Sequence, residues 1–343
     1  MKKIVSVCFI LIFAANVYAA SGGAAFLKKG VGARALGMGG AFTSVAGDAN
    51  AVYWNPAGLG QIYDNYSVTF MAASGASDEW TGLSDVIPTH NFVALSVPAG
   101  KITEALGKSV FAFGYMSSYL DKIIGSSDEG IQTGTLEDTQ SAFYLSWGMP
   151  VWEEDTNLYV GASLKYLSEN LSGTGGDSAS GYDIDAGIIY NIFETLNFGL
   201  FIGKGASIKW AESESDQSAL TSKFGVSNMF NLSEKFKLLG AADLVQVQRE
   251  PLGANLGLEL SYMDIAGSDD GLGLKGLHLR GGVNSLALEN RYGVREDINK
   301  NIAYSAGFGI DIAILGKFLQ LDYAMIMGNI LDSQNKISLS FYF

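Results

Sequence analysis

Charged side chains at strand-like positions are the part of this sequence most able to do chemistry. Carboxylates gathered in a cavity can act as acids, bases or metal ligands. Opposite charges placed together more often pair and hold a structure in shape, and we favour that interpretation over catalysis. The acidic set is Asp183, Asp185, Glu259, Asp311 and Asp322, and the basic set is Lys165, Lys223 and Arg280.

Short motifs for nucleotides, metals and nucleophilic catalysis are incomplete. Gly30-x-Gly32-x-x-Ala35 fits a loose dinucleotide pattern but does not follow a strand. His90 is expected in a loop and His278 on a strand, and no cysteine follows Cys8 to complete a zinc site. We therefore predict no enzyme activity, no cofactor and no bound metal.

Residues 1–19 predict an export signal. Two lysines precede the apolar run Ile4–Ala15, and Val17-Tyr18-Ala19 offers small residues for cleavage near Ala19. The run is shorter than the ~20 residues of a membrane helix. The only cysteine, Cys8, lies inside the signal, so disulfides are not expected in the exported chain.

Composition narrows the class of protein further. The formal net charge is −13, which gives no electrostatic footprint for nucleic acid. Hydrophobic residues make up 48% of the chain, yet no later stretch is long enough for a membrane helix. The 43 glycines and 5 prolines suit sheets better than helices. A large soluble β protein and a membrane β-barrel both fit these values.

Alternation with a period of two predicts about fourteen strands after residue 62. Polar faces rich in glycine and serine suit a packed or wet lumen, and tyrosines at the ends of apolar faces suit interfacial girdles. These tyrosines are Tyr166, Tyr182, Tyr190, Tyr262 and Tyr323. The clearest candidates are 158–166, 182–190, 302–312 and 319–325, with weaker ones near 66–73, 91–97, 110–117, 141–149, 196–203, 223–229, 236–245, 255–262 and 277–284, and a closing strand at 336–343.

Connection lengths alternate between long and short, as in outer-membrane barrels. Long polar connections are predicted at 74–90, 119–138, 170–180, 204–219 and 285–300. Short ones are predicted at 150–156, 191–195, 231–235 and 315–317. The connections at 98–107, 248–253 and 263–275 depart from this rhythm.

The last strand gives the strongest single signal. Ile337, Leu339, Phe341 and Phe343 alternate outward, and Phe343 ends the chain. This pattern resembles the terminal strand that barrel-assembly machinery recognises. In lipid every backbone polar group must be paired, so a sheet survives there only when it is closed. We predict an all-β fold, a transmembrane antiparallel β-barrel whose partners include outer-membrane lipid and that machinery.

The segment before the barrel, residues 20–62, is rich in glycine and alanine and lacks clean alternation. Small residues suit a segment that must coil inside a lumen against the wall. We expect a signal at 1–19, an N-terminal hatch or plug at 20–62 and a barrel at 63–343. The candidate hatch residues are Gly32, Gly37, Gly39, Gly40, Asp48, Asn50, Asn55, Pro56 and Ala57.

Two stretches of this N-terminal segment resemble a known family. GARALGMGGAF and DANAVYWNPAGL are similar to the N-terminal region of PorV/PorQ proteins within the FadL-like outer-membrane superfamily. The triplet Asn55-Pro56-Ala57 is similar to the NPA motif of the FadL hatch. The resemblance implies a fourteen-stranded barrel with a lumenal hatch in the outer membrane of a Gram-negative-type bacterium.

Two functions follow from the resemblance. The FadL branch implies passive transport of hydrophobic compounds similar to long-chain fatty acids. The PorV branch implies a part in type IX protein secretion, in which the barrel receives or shuttles cargo. We place transport ahead of secretion. The partner is then a hydrophobic small molecule or secretion-system proteins, and no residue of the sequence identifies the ligand-binding site.

Overall fold

The computed structural model describes residues 24–75, 89–126, 132–153, 156–173, 176–193, 195–211, 215–248, 250–267, 271–287, 302–328 and 333–343. The predicted export signal at 1–19 and its cleavage point lie outside these ranges. So do the first residues of the predicted hatch and parts of several predicted connections.

The chain folds mainly into β-strands that are antiparallel to their neighbours. Because their residues alternate between apolar and small polar types, each strand can place one face against lipid and the other in a lumen. Their bounds are β1 Ser67–Gly75, β2 Thr89–Pro98, β3 Val110–Ser126, β4 Gln132–Glu153, β5 Thr156–Gly173, β6 Asp177–Ile192, β7 Leu196–Gly203, β8 Ser207–Trp210, β9 Asp216–Gln217, β10 Thr221–Asn231, β11 Phe236–Val247, β12 Gly253–Gly267, β13 Leu272–Ala287, β14 Ala303–Ile314, β15 Lys317–Gly328 and β16 Gln334–Tyr342.

Fourteen of these strands form a closed barrel, as predicted. Neighbours in sequence pair with one another, β7 pairs with β10, and the first strand β1 pairs with the last strand β16. The small strands β8 and β9 continue the sheet beside β6, beyond the point where β7 ends. The predicted transmembrane β-barrel fold is therefore confirmed.

Several strands are longer than the sequence predicted. The range 119–138 was expected to be a loop, but β3 continues to Ser126 and β4 begins at Gln132. The expected loops at 170–180, 204–219 and 263–275 are likewise partly strand. Outward positions there are polar, as at Glu137 and Thr139. These strands rise above the apolar band, so the ladder continues while the alternation that predicts it disappears.

The outer face of the barrel is apolar along its middle. On β4, for example, Phe143 and Leu145 are about half exposed, while the alternating residues Ala142 and Tyr144 are buried. Tyr166 and Tyr182, two of the predicted girdle residues, lie with their ring centroids 5.2 Å apart. Ile337 and Leu339 of the last strand also point outward. Phe343 exchanges two backbone hydrogen bonds with Tyr66, which extends the seam between β1 and β16.

The two ends of the barrel differ. We call the end that carries Phe343 and the short connections, such as 314–317, the turn end. The opposite end, which carries the longer connections such as 203–221, is the loop end.

None of the helices in the described ranges combines the length and the apolar character needed to cross a bilayer.

The residues before β1 fill the lumen, and we call residues 24–62 the plug segment. It contains two short α-helices, α1 Ala33–Gly37 and α2 Ala51–Trp54, and the 3₁₀ turns Ala25–Lys29 and Pro56–Ile62. Two further 3₁₀ turns, Ala99–Lys101 and Glu104–Leu106, join β2 to β3. Nearly all of the plug segment is buried, and its apolar side chains form one core with inward residues of the wall.

Candidate functional site

The candidate site is the interface between the plug segment and the wall, because the predicted motif residues meet there. Asp48 accepts a hydrogen bond from the backbone N–H of Asn50 at 2.8 Å, which fixes the turn before α2. Burial raises the pKa of Asp48, although the nearby Arg34 guanidinium lowers it in part. Both motif residues therefore shape the plug internally.

Asn55 joins the plug segment to the wall. Its side-chain Nδ2 donates to the carbonyl of Thr43 within the plug at 2.8 Å, and to those of Ile188 on β6 and Leu200 on β7 at 3.3 and 3.2 Å. Its Oδ1 accepts from Ala57 N at 3.2 Å. The backbone of Asn55 is extended, with φ −166°, as Pro56 requires of the residue before it. The expected contact with a wall backbone group is present.

The four predicted hatch glycines line the path from α1 to the next turn. Gly32, Gly39 and Gly40 have positive φ values of 76°, 64° and 72°, which suit glycine. A side chain at Gly39 would also meet the backbone nitrogen of Val283 at 2.6 Å. Gly37 packs against Gly307 of β14 instead. These glycines let the plug backbone approach the wall closely.

The wall strands also carry glycines that face the plug segment. The sequence did not predict this role for them. At each, an added methyl group would overlap with plug backbone or with a plug side chain near the wall. At Gly148, for example, it would lie 2.6 Å from the carbonyl oxygen of Pro56. The available signal was a run of glycines at inward positions on successive strands. We call this set the glycine belt: Gly148, Gly161, Gly187, Gly199, Gly225, Gly257 and Gly282.

An ion network ties α1 to the adjacent wall strands β12, β13 and β15. Arg34 donates from Nε and Nη2 to both carboxylate oxygens of Glu259, at 2.9 and 2.8 Å. Arg280 also donates to Glu259, and its Nη1 donates to Asp322 at 2.7 Å. Two positive and two negative groups thus balance. Burial opposes the charge of Arg34, but the Glu259 carboxylate raises the pKa of Arg34 above its ordinary value.

Arg280, Glu259 and Asp322 were among the charges predicted to pair and hold the structure in shape, but Arg34 was not among them. Asp243 was not among them either. Asp243 Oδ2 accepts from the backbone N–H groups of Phe42 and Thr43 at 3.0 and 2.9 Å, and from Thr43 Oγ1 at 2.7 Å. A carboxylate that accepts three donors holds its partner strongly. Asp243 is the second fixed point between plug and wall.

The remaining charged residues lie within the wall. Lys165 Nζ lies 2.6 Å from Asp183 and 2.8 Å from Asp185, all three on β5 and β6. Lys223 lies above the rings of Tyr53, Trp54 and Phe201, with Nζ 5.0 to 5.8 Å from the centroids. Such cation–π contacts stabilise a partly buried ammonium group.

The structure groups Ser261, His278 and Asp311 in a way that invites comparison with a hydrolase. Ser261 Oγ lies 2.8 Å from His278 Nδ1, and Asp311 Oδ2 lies 2.8 Å from His278 Nε2. Ser261 and His278 are directly paired across β12 and β13. Asp311 lies on β14 opposite Gly276, beside a register shift in β13 between Leu274 and Gly276. The three side chains form one hydrogen-bonded group across three strands.

His90 corrects one sequence expectation. It was predicted in a loop, but it is the second residue of β2 and is buried. Its Nε2 lies 2.9 Å from the carbonyl oxygen of Gly30 in the plug segment. The polar neighbours Thr89 and Asn91 hid the strand, because only the inward face is buried at this height. Within the described ranges no three potential metal ligands converge.

Comparison with known proteins finds structures of similar fold but no match by sequence. No protein-family model and no curated protein matches the chain. Among solved structures, the Pseudomonas putida toluene transporter TodX matches with a TM-score of 0.57 and 12% identity, over 92% of this chain and 98% of TodX. The monoaromatic hydrocarbon channel CymD matches with a TM-score of 0.53 and 13% identity, over 91% of this chain and 96% of CymD.

A Pseudomonas aeruginosa FadL homologue matches with a TM-score of 0.50 and 10% identity, over 89% of this chain and 96% of the homologue. The chain has a FadL-like fold. Identities this low establish the fold alone. The FadL-like fold was predicted from the motif at 32–59, while the narrower PorV/PorQ assignment remains a prediction.

Proposed function

We propose that the protein is an outer-membrane channel for passive transport of hydrophobic compounds, with residues 20–62 acting as its hatch. The observation that carries this proposal is the plugged lumen, in which the segment 24–62 contacts the wall through Asn55, Arg34 and the glycine belt. A channel for apolar molecules must shield them from water along its length, and a lumen with an apolar core supplies such surfaces.

The similar structures support the same class of substrate. TodX is described as a toluene transporter and CymD as a monoaromatic hydrocarbon channel. We extend the class to long-chain, fatty-acid-like compounds because of the resemblance of the NPA triplet to the FadL hatch. Outer-membrane lipid and the barrel-assembly machinery are the further partners that a channel of this kind requires.

Deletion of residues 24–58 tests the hatch. The variant should still insert, because the strands and the terminal Phe343 remain, but its conductance should be larger and less selective. Single-channel recording and uptake of a neutral hydrophobic probe into liposomes measure both effects. Leu232→Ser, in the exposed turn after β10, is the matched control. If wild type and deletion variant conduct and take up the probe alike, the segment is not a hatch.

Type IX secretion is the second candidate. It is favoured by the PorV-like motif at 32–59 and by the tall wall that β3 to β6 raise at the loop end, which offers a docking surface for cargo. Deleting the gene in its own host distinguishes the two. Loss of secreted cargo from the cell surface supports secretion, and slower growth on a hydrophobic carbon source supports transport.

A further inference from the structure

The outer face of β3 to β6 carries a line of aromatic side chains. Tyr115, Phe143, Tyr166 and Tyr182 are direct neighbours in the register of these four strands. All four are exposed, and the centroids of successive rings lie 4.7, 6.4 and 5.2 Å apart. Rings at such distances contact one another. They therefore form one continuous surface, which we call the aromatic strip.

A row of hydroxyl groups follows the aromatic strip on the side of the loop end. Each hydroxyl lies two residues from a ring of the strip on the same strand, which is about 6–7 Å. The register pairs the four positions across β3 to β6. The alternate residues Met116, Ala142, Leu167 and Ala179 are buried, so the hydroxyl side chains face outward. We call this set the serine row: Ser117, Ser141, Ser168 and Ser180.

An open groove adjoins the strip and the row on the outer face of β16, β1 and β2. It has a volume of about 400 Å³, and Asn91 and Ser117 line it on the side of the loop end. Below these two polar residues its lining is apolar, and the small side chain of Ala72 leaves room between larger neighbours. The groove is therefore an apolar slot with a polar upper edge. Its apolar side chains are Phe70, Ala72, Val93, Tyr115, Ile337 and Leu339.

The opposite side of the barrel has a different outer face. At the loop end of β13, β14 and β15 one register row consists of Val283, Tyr304 and Met327. Its only hydroxyl group is the phenol of Tyr304. Aromatic girdles surround outer-membrane barrels at both interfaces, so a girdle alone does not account for a row of serines on one side.

Sugar rings fit the chemistry of this surface. A sugar presents apolar C–H faces, which pack on aromatic rings, and hydroxyl groups, which pair with groups that both donate and accept, as serine does. The next outward row toward the loop end, Thr139, Asn170 and Ser178, is also exposed, polar and uncharged. Phosphate recognition relies on arginine or lysine, and these rows consist of neutral side chains. The surface therefore suits neutral sugars.

We propose that this outer face binds a glycolipid of the outer leaflet, with an acyl chain in the groove and the sugar on the aromatic strip and serine row. Long connections face the outside in outer-membrane barrels, which places the loop end in the leaflet that contains glycolipids. The groove lies on the membrane side of Asn91 and Ser117, so the chain points into the bilayer while the sugar faces out. The site is on the lipid-facing surface, and the proposal does not depend on transport through the lumen.

Binding of digalactosyl diacylglycerol to the full-length protein tests the sugar contacts. The protein is kept in a sugar-free polyoxyethylene detergent, and native mass spectrometry measures the fraction that carries lipid. We expect this lipid to bind about tenfold more tightly than phosphatidylcholine with the same chains, because ring stacking and hydroxyl pairing add to the chain contacts. Tyr166→Leu, and Ser141→Ala combined with Ser168→Ala, should each abolish the preference. Tyr304→Leu, on the opposite side, should retain it.

A second pair of variants tests the groove. Ala72→Leu fills the groove and should weaken the binding of both lipids. Ala306→Leu, at an exposed outward position of β14, is the matched control and should leave both affinities unchanged. Equal binding by the two variants would show that the groove does not hold the chain and would overturn the proposal.

Three further outcomes would overturn the proposal. The first is equal binding of the two lipids by wild type, and the second is an equal loss of preference in Tyr166→Leu and Tyr304→Leu. The third is tighter binding of phosphatidylglycerol than of the galactolipid, which would show that charge is recognised. Displacement of the galactolipid by free digalactosylglycerol at similar concentrations would assign the surface to soluble sugars instead. Heat-dependent mobility on a denaturing gel verifies that each variant is folded.

Discussion

At the scale of single residues, the single side chain of Asn55 hydrogen-bonds both to the plug segment and to two wall strands. Asn55→Ala removes an amide group whose two N–H donors are shared among three carbonyl groups. Because each net hydrogen bond contributes ~1 kcal/mol, we expect an assembled barrel with a looser plug and faster uptake of a neutral hydrophobic probe. Liposome uptake measures this. Unchanged uptake, with normal gel mobility, would show that the motif only shapes a turn.

The ion network predicts which of two substitutions, Glu259→Gln or Arg34→Gln, destabilises the barrel more. Glu259 serves both Arg34 and Arg280, so Glu259→Gln leaves the buried Arg280 and the partly buried Arg34 each short of a partner and should destabilise the barrel by ~3–5 kcal/mol. Arg34→Gln should cost less, because Glu259 keeps Arg280. The temperature at which the folded gel band disappears compares the two. The reverse order would mean that Arg34 holds the plug independently of the network.

Sequence reasoning reached some of these residues and missed others for a physical reason. Asn55 could be found because a motif marks it and because Pro56 restricts its backbone. Arg34 and Asp243 carry no local pattern, since their partners lie 225 and 200 residues away in the chain. Only the closed barrel brings those partners together, so a reading along the chain could predict charges in the lumen but not their pairing.

At the scale of elements, the glycine belt sets the distance between plug and strands. Gly187→Ala would drive a methyl group into Asn55 Oδ1, and overpacking of this kind typically costs ~1–3 kcal/mol. Gly240→Ala is the control, because its nearest neighbour would be Leu258 Cδ2 at 3.7 Å. The temperature at which half of the folded gel band converts to the unfolded band should fall for Gly187→Ala and stay unchanged for Gly240→Ala. Equal conversion temperatures for the two variants would indicate that the plug backbone can shift away from β6 at little cost.

The strands themselves divide into predictable and unpredictable parts. Where the outside meets lipid, as at Phe143 and Leu145, alternation predicts β4 correctly. Above that band, Glu137 and Thr139 are polar and exposed, and the same strand looks like a loop. Periodicity therefore detects the lipid boundary rather than the hydrogen-bonded ladder, and this explains why the strand count was predicted but the lengths of β3 to β6 were not.

At the scale of the whole molecule, assembly depends on the last strand. Changing Phe341 and Phe343 to Asp removes the aromatic end of the strand and places charge on an outward face near the turn end, where a carboxylate costs less than the ~2–4 kcal/mol of a lysine or arginine at the bilayer midplane. We expect the double variant to be absent from outer-membrane fractions, as measured by fractionation and gel mobility. Phe341→Leu with Phe343→Leu is the apolar control. Normal membrane levels of the Asp variant would show that this strand is not a recognition signal.

The seam between β1 and β16 has a consequence for the order in which the molecule forms. Ala33 of the plug donates to Ser338 of β16, 305 residues later, and Arg34 reaches β12. Contacts so distant in sequence form late, because long loops must close first. The plug therefore completes its contacts only when the final strand joins the first, and the nascent chain must keep its N-terminal segment inside a sheet that is still open.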